Sequence, residues 1–307
     1  MIECVPNFSE ARDAAKVRAI VAAIGSVPGV LLLGYESDAD HNRSVVTFAG
    51  DPEAVLEGAI RGAGKASELI DLGEHQGAHP RVGAADVIPF VPLEGATLGD
   101  CVRVAHRAGE EIWRRYGVPV YFYEAAARTP ERRRLEKVRR QGFDGQPPDI
   151  GTLAAHPRAG AAMIGARDFL IAFNINLDAA DAGIARAIAR KIRESSGGFR
   201  HVKAMGLYLD SHGCAQVSMN LTNFAEIPLD RLYETILDEA RRLGTGIRSS
   251  ELIGFVPRRA FEQAPDFFRR AANFDQSRII ENRIGSAQQA VNGPAHGPAH
   301  GPETPGC

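Results

Sequence analysis

The sequence predicts an α+β fold made of two successive βαββαβ units, each a ferredoxin-like subdomain with a mixed or antiparallel sheet. Three observations lead to this. The 307 residues are 44% hydrophobic and 24% charged, an ordinary globular balance long enough for two modest domains. The apolar segments are short and bounded by Gly, Pro and Asp. The order strand, helix, strand, strand, helix, strand occurs twice.

In the first half, IECVPNF reads as a strand and Ala11 to Ile24 as a helix. VLLLGYE and SVVTFAG are strands joined by a polar turn, DHNR, from Asp40 to Arg43. A helix then starts at GDPEAVLEG, where Asp51 caps, Pro52 takes the first helical position and Glu53 lies in the first turn. DVIPFVP is the next strand, followed by a helix from Leu98 to Tyr116 and the strand VPVYFYEA.

The second half opens with DFLIAFNINL, a nearly continuous apolar run that suits a strand covered on both faces. Ala179 to Ser195 reads as a helix, and VKAMGLYLD and AQVSMNLT as strands turned by Ser211-His212-Gly213. Leu229, Leu232, Ile236, Leu237, Ala240 and Leu243 form one helical stripe, and SELIGFV closes the unit. Between the halves lie a short basic helix, with Arg132 to Arg134, Arg139 and Arg140, and a Gly/Pro loop. The run is read as a solvated helix face in preference to an anion site. The expected organisation is 1–167 and 168–285, followed by a disordered Gly/Pro/His tail at 286–307, where GPAH repeats and no core can form.

Net charge is −2, which argues against nucleic-acid binding by bulk electrostatics. No basic segment followed by an apolar one opens the chain, and no apolar run reaches membrane-spanning length. Cys4, Cys101, Cys214 and Cys307 are scattered without CxxC spacing, which predicts reduced thiols, no zinc–cysteine site and a cytoplasmic setting.

The densest chemistry lies in HQGAHPRVGAAD, which places His75, His79, Arg81 and Asp86 just before a strand. His75 and His79 have the spacing of a helical zinc pair, but Gly77 and Pro80 break the helix and no glutamate follows His75, so no metal is expected. A histidine on a loop held by a sheet suits general acid/base work, because its unperturbed pKa of about 6.5 lets it take and release a proton near neutrality. Arg81 supplies a planar fork for a carboxylate. The DHNR turn reads equally as a plain hairpin, and sequence does not bring it to the His79 loop. GTLAAHPRAG, from Gly151 to Gly160, carries a second HPR whose glycines permit close backbone approach to a ligand. An ordinary linker remains the competing reading of that stretch.

Several blocks together resemble the formiminotransferase family, the transferase part of formimidoyltransferase-cyclodeaminase, which also occurs as a free-standing bacterial enzyme. They are ECVPNFSE, NRSVVTFAG, ELIDLGEHQGAHPRVGAADVIPFVP, PVYFYEAA, GARDFLIAFNINL, AQVSMNLT and SELIGFVP, in order from about residue 2 to residue 260. The resemblance implies two ferredoxin-like subdomains. It also implies glutamate formimidoyltransferase activity, in which N-formimidoyl-L-glutamate and tetrahydrofolate give 5-formimidoyl-tetrahydrofolate and L-glutamate. That reaction belongs to histidine degradation and one-carbon metabolism.

By the same resemblance the catalytic histidine falls on His79. The folate segment falls on Gly151, Thr152, Leu153, Ala154, Ala155, His156, Pro157, Arg158, Ala159 and Gly160, with Lys191 as a further folate position. Arg81, Arg43 or the inter-domain arginines are expected to hold glutamate or folate carboxylates. Asp40 and Asp86 are expected to orient His79 or the cationic amidine. The chain reads PDIGT where the family usually has PDFGP, and the insert before it is shorter. Tetrahydrofolate is expected as co-substrate, with no metal, no nucleic acid and no membrane. A separate cyclodeaminase and a family-like homodimer are the expected partners. The alternatives are formyl transfer between 5-formyltetrahydrofolate and glutamate on the same site, and a non-catalytic folate-binding protein.

Overall fold

The computed structural model describes residues 1–77, 81–141 and 146–292. It is a mixed α/β structure with two sheets and, among the described residues, nine α-helices. The elements of the first part are β1 (Ile2–Cys4), β2 (Asn7–Phe8), α1 (Ala14–Gly25), β3 (Leu31–Asp38), β4 (Arg43–Gly50), α2 (Pro52–Leu69), β5 (Ala85–Pro92), α3 (Leu98–Tyr116), β6 (Val120–Glu124), α4 (Leu135–Gln141) and β7 (Ala162–Ala166). The second part holds β8 (Ile171–Leu177), α5 (Ala182–Ile192), β9 (Val202–Leu209), β10 (Cys214–Leu221), α6 (Leu229–Arg242), β11 (Ile247–Ile253), α7 (Arg258–Gln263), α8 (Pro265–Arg269) and α9 (Ile280–Asn292).

β1 and β2 are two pieces of one line, both lying between β4 and β5. β3 pairs with β4 antiparallel at one side. On the other side β5 pairs parallel with β7, which pairs parallel with β6. The second sheet has the order β11-β8-β10-β9 and is antiparallel throughout.

Local chemistry sets the helix boundaries. Asp51 accepts from the Glu53 and Ala54 amides and Pro52 occupies the first turn of α2, as the sequence predicts. Thr97 and Asp100 form a capping box on α3, which ends at Gly117 with φ 65°. α1 begins three residues later than expected. The Glu10 carboxylate takes the amides of Ala11, Arg12 and Asp13, and Asp13 then caps the helix. α5 likewise starts after its cap Asp181 and is shorter than the span from 179 to 195.

Each sheet buries one face under helices. Ile2, Cys4, Phe48, Ile88 and Phe90 pack beneath α1, α2 and α3. Phe173, Ile175, Val217 and Met219 pack beneath α5, α6 and the short terminal helices. The reverse face of the first sheet carries Leu33 and Ala49, against which Phe255, Ile280 and Ile284 of the second part pack.

Two features correct the sequence reading. The stretch Ala162–Ala166, to which the sequence reading gave no element, is a buried central strand of the first sheet. The tail expected from residue 286 is helical through Asn292, because Ile280 is buried and Ile284 and Ala287 pack against the first half. Residues 293–307 lie outside the described residues, as does Cys307. Cys4, Cys101 and Cys214 are buried free thiols. No helix among the described residues is long and apolar enough to cross a membrane.

Candidate active site

Asp86 organises the site. Asn7 pairs with Val87 while Phe8 pairs with Ala85, so Asp86 is the extra residue of a β-bulge. A bulge re-aims its side chain and ends regular pairing, which suits a strand mouth next to a functional loop. The carboxylate is fully buried. Its Oδ2 accepts from Arg43 Nη1 at 2.7 Å and from Arg139 Nη2 at 2.6 Å. Its Oδ1 accepts from the backbone amides of Val82 at 2.7 Å and Gly83 at 3.3 Å. Burial alone would push this carboxyl upward. Arg43, Arg139 and the Val82 amide outweigh burial and hold it below the usual carboxylate range. Asp86 is thus already saturated by protein donors and fixes the loop that leads into β5.

The sequence placed Arg43 on a turn with no known relation to that loop, and the structure joins them. Arg43 Nε donates to Asn7 Oδ1 at 3.1 Å while its Nη1 holds Asp86. Asn42, in the left-handed region at φ 46°, donates from Nδ2 to the Gln76 carbonyl at 3.0 Å. Its Oδ1 accepts from the Ala11 amide at 2.9 Å, and His75 Nε2 lies 3.1 Å from its carbonyl oxygen. The DHNR turn is therefore stitched to the loop on both sides of residue 42. Gly77 allows this close passage, because a Cβ there would sit 2.5 Å from the His41 carbonyl oxygen.

Arg81 donates from Nη2 to the Gly77 carbonyl, and burial lowers its pKa somewhat. Asp40 does not face Asp86. It accepts from the Ser211 amide at 3.4 Å and from the Ser211 hydroxyl, and so clasps the second half. His79 lies at positions 78–80, outside the described residues.

The 151–160 segment lies against the same loop. The Leu72 amide donates to the Arg158 carbonyl at 2.9 Å, and Arg158 Nε reaches Asp71 at 3.1 Å. His156 Nδ1 accepts from the Ala159 amide at 2.9 Å, so this ring holds its own turn. Residues 151–155 are exposed, Leu153 by 61%. The two end glycines answer to the protein's own backbone. Gly160, at φ 68°, would place a Cβ 2.2 Å from the Val82 carbonyl oxygen, and Gly151, at φ 103°, packs against Trp113. Lys191 is exposed on the last turn of α5, a helix that covers the second core, and nothing brings it to this loop.

Of the basic run, read in the sequence chiefly as a solvated face, Arg139 turns inward onto Asp86, and its buried Nε has no partner among the described residues. Arg132 also turns inward, to Asp149 at 2.6 Å. His41, which the sequence reading did not single out, has its Nδ1 2.7 Å from Asp38. A cavity of about 730 Å³ flanks the loop on its outer side, lined by Glu10, Lys16, Asn42, Glu74, His75 and Gln76. Among the described residues no group of three His, Cys, Asp or Glu side chains is arranged to hold a metal ion.

Two family descriptions match the chain: "Formiminotransferase domain, N-terminal subdomain" over residues 1–167 and "Formiminotransferase domain" over residues 172–286. The chain belongs to the formiminotransferase family. This formiminotransferase is 44% identical over 294 residues to the "Glutamate formimidoyltransferase" of Streptococcus pyogenes serotype M1, covering 92% of this chain and 98% of that protein. It is 41% identical over 298 residues to the protein of the same name from Thermoplasma acidophilum, covering 94% and 98%. The "Formimidoyltransferase-cyclodeaminase" of Sus scrofa is 40% identical over 306 residues, 93% of this chain and 56% of that longer protein. Membership makes this formiminotransferase a transferase enzyme.

Proposed function

We propose that the chain is a glutamate formimidoyltransferase, moving the formimidoyl group between N-formimidoyl-L-glutamate and tetrahydrofolate in histidine breakdown. The observation that carries this reading is the arginine-rich centre on the Asp86 bulge. Arg43 and Arg139 are held inward at the mouth of β5, next to Arg81 and immediately after the HPR loop. A carboxylate-bearing amino-acid derivative needs such fixed guanidinium forks. The buried Arg139 Nε–H has no partner among the described residues and is a donor such a carboxylate could take.

In this reading N5 of tetrahydrofolate attacks the formimidoyl carbon, and the new C–N bond gives a tetrahedral intermediate. The proton from N5 passes to His79. The bond from carbon to the glutamate nitrogen then breaks, and His79 returns the proton to that departing nitrogen. One imidazole used as base and then as acid contributes about 10²–10⁴-fold. Asp86 acts through structure: it locks Val82 and Gly83, and with them the exit of the His79 loop. Asp40, expected to orient His79 or the amidine, also joins the halves by accepting from Ser211.

The folate chain is assigned to the exposed face of residues 151–155 beside Arg158, with its end glycines serving the fold. We read each half as a ferredoxin-like unit spanning 1–167 and 168–285, working in the cytoplasm without a metal and with a separate cyclodeaminase downstream. The test is a direct assay of purified protein with formimidoylglutamate and tetrahydrofolate, run beside 5-formyltetrahydrofolate with glutamate. Turnover of the first pair only is expected. Turnover of the second pair alone would reassign the donor, and binding without turnover would make the protein a folate carrier.

A further inference from the structure

The two halves meet in two unlike ways. Among the described residues, one hydrophobic cluster spans both, and it runs along β3, an outer strand of the first sheet. Leu33 and Ala49 pack there against Phe255, which follows β11, and against Ile280 and Ile284 of α9. Polar bonds reinforce this seam. Glu36 accepts from the Gly254 amide at 3.0 Å and from Arg278, and Arg283 Nε donates to the Leu33 carbonyl. Apolar surface buried in this way holds the seam together without regard to direction.

The opposite edge is held differently. The second sheet runs β11-β8-β10-β9, so β9 is its outer strand on the side away from the seam. No residue of β9 belongs to the cluster that spans the halves. Polar contacts fasten β9 at both ends. Lys203, near its start, reaches Glu136 of α4 at 3.4 Å and Glu124, the last residue of β6, at 3.7 Å. Ser211, just past its end, donates to Asp40 from its amide at 3.4 Å and from its hydroxyl, and His212 Nδ1 lies 3.9 Å from the same carboxylate. The side chains of Lys203, Glu124 and Glu136 are 45%, 36% and 44% exposed. Ion pairs this open to water add little net stability. Glu124 makes its contact from left-handed backbone at φ 51°, a costly conformation for a residue with a side chain.

Each of these catches sits close in sequence to an arginine of the site. Glu136 and Arg139 share the short helix α4, and Asp40 and Arg43 both belong to the DHNR turn between β3 and β4. Both arginines are shut in. The side chains of Arg139 and Arg43 are 17% and 11% exposed, and the Asp86 side chain that they hold is not exposed at all. A carboxylate arriving from solvent needs a wider path than this arrangement leaves. An interface with one apolar edge and one polar edge opens at the polar edge, as hinged domains do around ligands.

We propose that the second half turns on the seam between β3 and the end of β11, with Lys203 and Ser211 as its catches. Released, they open the cleft to carboxylate-bearing substrates. Engaged, they couple closure to the elements that carry Arg139 and Arg43. This rests on the reading of those arginines given above.

The experiment uses the full chain with Cys307→Ser, so that the remaining native thiols are buried. Nitroxide labels at Lys137→Cys on α4 and Arg190→Cys on α5 span the β9 edge, and labels at Tyr35→Cys and Glu262→Cys span the seam; all four positions are exposed. Adding Lys203→Gln and Ser211→Ala is expected to shift the first distance to longer values and to leave the second unchanged. A separate variant, Glu136→Cys with Lys203→Cys, is joined by a short cleavable bismaleimide. Joining is expected to slow tetrahydrofolate association about 100-fold or more, because a minor open state is then forbidden, and cleavage is expected to restore it. Melting curves accompany every variant. An unchanged β9-edge distance in the folded Lys203→Gln, Ser211→Ala protein overturns the proposal, as does normal association by the joined protein. Association equally slow before joining would make Lys203 a ligand contact instead of a catch, and also overturns it. If the wild-type chain binds no tetrahydrofolate, the transferase reading fails, and the two label distances decide the hinge.

Discussion

Arg43 meets Asp86 at 2.7 Å, and that contact ties the β3–β4 turn to the bulge at the mouth of β5. With Arg139 at 2.6 Å it makes a buried group of two cations and one anion. Removing the anion strands both guanidiniums. Asp86→Asn is therefore expected to lower the unfolding free energy by about 3–5 kcal/mol, read by urea titration. The same contact sets an acid limit. Because the folded-state pKa of Asp86 lies below the unfolded value, its stabilisation is present above about pH 4 and is lost as pH falls through the folded value. The variant is expected to lack that part of the acid dependence. An Asp86→Asn protein as stable as the parent would mean that the arginines do not need this partner.

Glu3 shows the opposite behaviour. It lies on β1 between the core residues Ile2 and Cys4, so it points to the reverse face of the sheet. Burial pushes its carboxyl up to about 7, with Arg167 pulling partly against this. Between 4.5 and about 7 the folded state keeps a proton that the unfolded chain releases, so stability falls as pH rises through that window. Glu3→Gln removes that penalty. Its stability relative to wild type is expected to improve by roughly 2–3 kcal/mol on going from about pH 5 to about pH 8. Melting curves at the two pH values check this, and a pH-independent difference would place the carboxyl in a wetter or better paired setting.

Gly160 and Leu153 separate fold from function within one segment. Gly160→Ala forces a side chain into a left-handed residue and against the Val82 carbonyl, so it is expected to lower Tm and to impair both substrates together. Leu153 is exposed and touches no core. Leu153→Ser is expected to leave Tm unchanged while raising the tetrahydrofolate requirement several-fold. Kinetics unaltered for both substrates would make this stretch a linker.

The C-terminal helix gives a truncation test. Deleting residues 293–307 is expected to leave Tm and activity unchanged, because the Gly/Pro/His repeat has no apolar surface to bury. Deletion from residue 280 removes buried Ile280 and the Arg283 contact with the Leu33 carbonyl, and it is expected to destabilise by several kcal/mol. A neutral result for the longer deletion would mean that this helix is dispensable to the first half.

Much of the fold was legible because local signals and tertiary structure agree. Pro52 after Asp51, the Leu229 to Leu243 stripe and the Gly213 turn each carry their own instructions. The strand Ala162–Ala166 was not legible, since five uncharged residues, AMIGA, after a Gly-bounded loop have no period to read, and parallel partners supply their order. In the site, residue types were readable but pairings were not. Asp86 looked like a ligand group because a sequence cannot show that a bulge delivers it to Arg43 and Arg139. Arg139 looked solvated because its helix has one turn facing in, which a run of basic residues conceals. Gly151 and Gly160 looked like ligand contacts because a positive φ and a nearby backbone leave the same mark in sequence as a bound molecule.

The central claim is that His79 carries the proton between the two nitrogens during formimidoyl transfer. The most direct measurement is single-turnover transfer from formimidoylglutamate to tetrahydrofolate by His79→Ala, with folate affinity measured on the same sample. His75→Ala, whose parent ring contacts the Asn42 carbonyl, serves as the control. The account predicts a loss of about 10²-fold or more in the His79 variant at unchanged folate affinity, and a much smaller loss in the control. Near-normal transfer by His79→Ala would contradict it.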